Sequence, residues 1–148
     1  MVTRDDTEIT IRNIRFDFEF LKFIRKYKER IRDKRIRGDL TFYSNGVMYH
    51  IVLVFKAIAT LPDGEANSEA IAERYLGFFG QSVAQPSLAR SLRALSAVGL
   101  IKVIDNPFDK RMLNIKLTKE GANLQHLFIG STKQYATIKE ALLHYNRR

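Results

Sequence analysis

The chain reads as a mainly α-helical fold carrying one small β-hairpin. Three observations predict it. Apolar residues recur at spacings of three and four along most of the 148 residues, two strand-like segments lie close together between residues 100 and 117, and Gly, Pro and Asn punctuate the pattern. With 45% hydrophobic and 28% charged residues, the chain can bury one core and is poorly suited to global disorder, so a single domain over 1–148 is expected. The absence of cysteine removes disulfides, thiolate zinc sites and cysteine nucleophiles together, and fits a reducing compartment. Ile51–Phe55 is the longest apolar run, far short of the ~20 residues a membrane helix needs. Arg4, Asp5, Asp6 and Glu8 do not make a secretory signal, so the expected location is cytoplasmic.

The N-terminal helices are expected over 14–61. Phe16, Phe20, Phe23, Ile24, Tyr27 and Ile31 mark one long amphipathic helix over Ile14–Arg37, with Gly38 as its stop and turn residues at Ser44, Asn45 and Gly46. Val47–Leu61 is apolar nearly all round, as in a helix at the centre of a domain, and Pro62-Asp63-Gly64 ends it. A short helix over Ser68–Leu76 follows, capped by Asn67 or Ser68, with Glu69 near its positive end and Gly77-Phe78-Phe79-Gly80 as its break. The next helix covers about Ala84–Val98; Pro86 is tolerated because it falls in the first turn, and Gly99 supplies the stop. Leu100–Ile104 and Met112–Leu117 read as a hairpin around a tip at 105–111. Thr118 caps a further helix, and Gly130 and Ser131 separate it from a last one through about Tyr145, so 118–148 is a C-terminal helical segment.

Charge is segregated along the chain. The formal net charge is +9. Arg25, Lys26, Lys28, Arg30, Arg32, Lys34, Arg35 and Arg37 crowd one segment against Glu29 and Asp33, and 82–104 carries Arg90, Arg93 and Lys102 with no acid. Residues 62–81 hold Asp63, Glu65, Glu69 and Glu73 against Arg74 alone. Separated basic and acidic segments suggest an anionic partner for part of the surface.

At 100° per residue, the helix over 84–98 sends Leu88, Leu92 and Leu95 to one side. Ser82, Pro86, Ala89, Arg90, Arg93 and Ala97 fall on the other. Small residues beside arginines suit a helix that enters the major groove of DNA, and they equally suit the solvated face of an ordinary amphipathic helix. The order of elements favours the first reading: a capped short helix, a turn, a second helix ending in Gly-Leu-Ile, and a hairpin with a basic tip follow the plan of a winged helix-turn-helix over 67–117.

Particular runs resemble a known family. Ser68-Glu69-Ala70-Ile71-Ala72-Glu73-Arg74 is similar to the first reader helix of the multiple-antibiotic-resistance regulator (MarR) family, and Leu88–Leu95 with Gly99-Leu100-Ile101 is similar to its recognition helix and the turn into the wing. Asn106-Pro107-Phe108-Asp109-Lys110-Arg111 resembles that family's Asp-x-x-Asp-x-Arg wing, with Asn106 in place of the first acid. Leu117-Thr118-Lys119-Glu120-Gly121 resembles the exit from the wing. Gln85-Pro86-Ser87-Leu88-Ala89-Arg90 is also similar to recognition helices of LysR-type regulators. The MarR resemblance, over about 67–121, implies a sequence-specific regulator of transcription that binds palindromic duplex DNA as a homodimer. It implies that Asp109 holds the wing tip and that Arg111 meets the minor groove or its phosphates. The candidate DNA contacts are then Ser82, Gln85, Pro86, Ser87, Ala89, Arg90, Arg93, Lys110 and Arg111.

Alternatives stay open. The apolar stripe of the N-terminal helix, with Phe16, Phe20, Phe23 and Tyr27, suits a subunit contact with its charges beside DNA, or packing in its own core. The same fold serves as a protein–protein module in phage or plasmid factors, and a small-molecule effector is a refinement of the regulator reading. No enzyme is expected. His50, His126 and His144 lie outside any metal-ligand spacing, with His50 read as a satisfied core histidine, and no cofactor motif or phosphate-binding glycine loop is present.

Overall fold

A computed structural model describes residues 4–41, 47–105, 108 and 113–129, with side chains from residue 11 onward except at 47 and 129. It is mainly helical with a small two-stranded antiparallel sheet: α1 (Arg4–Tyr27), a 3₁₀ turn (Lys28–Arg30), α2 (Lys34–Asp39), α3 (Val47–Ala59), α4 (Ser68–Phe79), α5 (Gln85–Ala97), β1 (Ile101–Asp105), β2 (Leu113–Leu117) and α6 (Lys119–Ile129). The expected helix beyond Ser131, the Ser44–Gly46 turn, and the tip residues Asp109, Lys110 and Arg111 lie outside the described residues.

The expected single helix over Ile14–Arg37 is two helices. α1 begins earlier, at Arg4, and ends at Tyr27; Ile31 is extended and turned into the core, and Asp33 starts α2. Asp33 Oδ1 accepts from the backbone N–H groups of Arg35 (2.9 Å) and Ile36 (3.3 Å), the geometry of an N-cap. Continuing α1 would have stacked Lys28 on Arg32 and Arg30 on Lys34, like charges one turn apart, each disfavoured by a few tenths of a kcal/mol, about 0.2–0.5. Gly38 lies inside α2 rather than ending a helix, and the buried Leu40 follows it.

α3 is the central element, packing against α4, α5 and α6. Met48, Ile51, Leu53, Val54, Phe55, Ala57 and Ile58 are all buried, as its apolar circumference requires. Over it α1 lays Phe16, Phe20 and Ile24, successive turns of one face. The Phe16 ring lies 5.7 Å from Phe20, 5.7 Å from Phe55 and 5.1 Å from Phe128 of α6. Lys56 closes this aromatic knot, its ammonium over the Phe16 and Phe128 rings and 2.9 Å from Asp17. Phe16 and Phe20 are therefore sealed within one chain and cannot serve the subunit contact considered for them; among the described side chains of α1, the large apolar ones that are exposed are Ile11, Ile14 and Phe18. His50 is not a core residue either. Its ring is exposed, with Nδ1 2.9 Å from the hydroxyl of buried Tyr75, a phenol whose pKa is pushed up by burial and by neighbouring Tyr49.

α4 is capped by Asn67, whose Oδ1 accepts from the Ala70 N–H at 2.8 Å. It runs through Gly77, where the sequence suggested a break, and stops at left-handed Gly80. Phe78 is buried on the extra turn, and this packing outweighs the roughly 1 kcal/mol that glycine costs a helix interior. Among the described residues, no helix is long and apolar enough to cross a membrane.

Candidate nucleic-acid interface

α5 is held from beneath. Leu88, Leu92 and Leu95 are buried as expected, and Ser91 and Ala94, which the leucine periodicity did not mark, widen the buried stripe against α3. Ala84 starts the helix without a side-chain cap, Pro86 sits in its first turn, and Leu88 donates to the Ala84 carbonyl at 2.9 Å. The helix ends on two bonds of a Schellman motif: Gly99 donates to the Ser96 carbonyl and Leu100 to the Leu95 carbonyl at 3.0 Å, with Gly99 at φ 88°. An alanine there would carry the penalty of the left-handed region.

The opposite face is open. Gln85, Pro86, Ser87, Ala89, Arg90, Arg93 and Ala97 are all exposed on α5; Ser82 is exposed too but precedes the helix instead of belonging to its face. The two arginines differ in a way their spacing did not show. Arg90 donates from Nε and Nη2 to Asp39 Oδ1 at 2.9 and 2.7 Å, bridging 51 positions between α5 and the end of α2. Asp39 is 8% exposed, so this is a carboxylate taken largely out of water, with one oxygen held by both bonds of a single guanidinium. That hydrogen bond, then the carboxylate charge, raises the Arg90 pKa further, fixing it as a cation. Arg93 has no such tie among the described residues.

Around this pair lies a cleft of about 690 Å³ between α2 and α5, lined by Lys34, Arg35, Arg90 and Arg93 together with Asp33 and Asp39. The sequence marked the basic run and the α5 face separately; their juxtaposition comes from α2 packing on α5.

The hairpin follows at once. β1 and β2 pair antiparallel from Ile101↔Leu117 to Asp105↔Leu113, and an isolated bridge joins Asn67 to Asn114, so the chain entering α4 lies along the edge of β2. Ile101 at the root and Ile115 in the middle of β2 are buried, so β2 lies against the body, whereas Val103 and Ile104 of β1 are exposed and Phe108 is 96% exposed. Thr118 ties its root to α6, donating to the Gly99 carbonyl and accepting from the Gly121 N–H. Among the described residues, no group of three His, Cys, Asp or Glu side chains could hold a metal ion. Compared with protein-family models, curated proteins and solved structures, the chain matches none of them.

Proposed function

We propose that the chain is a winged helix-turn-helix protein of MarR-like type that reads duplex DNA with α5 and a wing formed by β1 and β2. The observation that carries this reading is the outer face of α5: small residues and two arginines exposed on a helix whose other face is locked into the core, with a β-hairpin following its C-terminal end. Such a helix can approach base edges closely, and its arginines match the acceptors of guanine. Of the two, Arg93 is the better base reader, because Asp39 already occupies one edge of the Arg90 fork.

Two-fold symmetric half-sites call for a two-fold symmetric protein. The homodimer proposed with this function uses the exposed Ile11, Ile14 and Phe18, three and four positions apart on α1, rather than Phe16 and Phe20. Phe18→Asp is expected to turn a sedimenting dimer into a folded monomer; an unchanged dimer removes this face from the contact.

The binding test is a titration of labelled duplex across salt. If a dimer neutralises on the order of 6–10 phosphates, affinity should fall by roughly 10³–10⁵ between 50 and 200 mM salt. Arg93→Ala should cost about 1–3 kcal/mol on a selected operator and relax preference at one base position per half-site. An Arg93 variant with full preference rejects it as a reader. A flat salt response, or no binding at low salt, rejects the DNA function and leaves the protein–protein module, which the exposed Val103, Ile104 and Phe108 on the hairpin favour.

A further inference from the structure

The cleft between α2 and α5 has cations to spare. Both of its acids are committed within the chain: Asp33 caps α2 through two backbone N–H groups, and Asp39 holds Arg90. Against those two acids stand four cations, Lys34, Arg35, Arg90 and Arg93, and the side chains of Lys34 and Arg35 make no ion pair among the described residues. Both are exposed, so the cleft is an open ledge on the flank of α5 and not an enclosure that would bury a small ligand.

A helix about 10–12 Å across nearly fills a major groove about 12 Å wide, so a phosphate strand runs along each flank of a helix seated there. A basic ledge packed against that flank falls where the strand passes. Resting on the DNA-reading role given to α5, we propose that the α2–α5 cleft seats the phosphate backbone of the bound duplex, with Lys34 and Arg35 as the phosphate contacts. These contacts carry no sequence information. They set the register of α5 in the groove and add to the salt dependence. The N–H groups of Arg90 that Asp39 does not use are held at the same ledge, since the guanidinium has five donors and the carboxylate takes two.

The experiment uses the full chain with a labelled duplex of preferred sequence and a scrambled one, titrated between 50 and 200 mM salt. The Lys34→Ala/Arg35→Ala double variant is compared with the parent and with Arg15→Ala, an exposed cation on α1 about 18 Å of helix rise before the end of that helix. The double variant should lose about two units of log–log salt slope per protomer, about four for a dimer, and binding by the dimer should weaken on the order of 10³-fold near 0.1 M salt, alike on both duplexes. Arg15→Ala should behave as the parent. Circular dichroism should show the double variant folded, because both side chains are exposed and the cap on Asp33 uses only the backbone of residue 35. A parent that binds steeply while the double variant keeps its slope and affinity overturns the cleft and leaves the α5 reading intact. An equal loss in Arg15→Ala assigns the effect to overall charge and also overturns it. A parent that binds no duplex at 50 mM salt overturns both.

Discussion

Phe20→Ala is expected to lower the unfolding free energy by about 3–5 kcal/mol, read as a lower urea midpoint at unchanged m. The ring is fully buried and touches both Phe16 and Phe55, at 5.7 and 5.4 Å between centroids. Truncation leaves a cavity that α1 cannot collapse into, because Phe16 is itself pinned between Phe55, Phe128 and the Lys56 ammonium. Single domains hold only about 5–15 kcal/mol in total, so this one change removes a large share. A loss below about 1 kcal/mol would mean that the aromatic knot does not hold α1 to α3 and α6. Phe20→Asp is for the same reason a poor probe of association, since it unfolds the chain before it can report on a partner.

Gly121→Ala is expected to destabilise although alanine is the better helix former by about 1 kcal/mol. Gly121 lies in the first turn of α6, pressed on the corner between α5 and β1. A methyl group there would overlap the Leu100 carbonyl oxygen and crowd the Leu117 side chain at 3.2 Å. The obstacle is backbone, already engaged by the Thr118 N–H at 3.1 Å, so relief requires moving the start of α6 off the sheet. Overpacking of this kind costs about 1–3 kcal/mol, which exceeds the propensity gain. Thermal unfolding of Gly121→Ala beside Gly38→Ala settles the sign: Gly38 has open space around its Cα and should tolerate or welcome the methyl. A stabilised Gly121→Ala would show that α6 does not dock as closely as described.

What was legible in the sequence follows from what is local. The stripe of Leu88, Leu92 and Leu95, the Asn67 cap, Pro86 in a first turn, Gly99 at a helix end and Thr118 ahead of α6 are all decided within a few residues, and the structure places them as the sequence implied. The break after Tyr27 was illegible because Ile24 and Ile31, seven apart, keep the same periodicity on either side of it. The competing signal was Asp33, a cap that the surrounding cations disguised as a charged helical face. Gly77 misled in the opposite direction, since a helix breaker by propensity was overruled by the burial of Phe78 one residue later. At the candidate interface the exposed residues of α5 were readable, but the pairing of Arg90 with Asp39 was not. It depends on α2 and α5 meeting across 51 positions, which no pattern of spacing records.

The Gly99–Leu100 corner has a mechanical consequence. The Gly99 carbonyl takes the Thr118 hydroxyl, the Leu100 carbonyl takes the Thr118 N–H, and the Leu100 N–H closes the end of α5. The end of α5, the root of the hairpin and the start of α6 are thus riveted through two adjacent peptide groups. α6 in turn grips α1 through Phe128 and the end of α3 through the Gln125 amide on the Ala59 carbonyl at 2.9 Å. The end of α5, the hairpin root and the start of α6 therefore brace one another like the legs of a tripod, and the grip of α6 on α1 and α3 seats that tripod on the helical bundle.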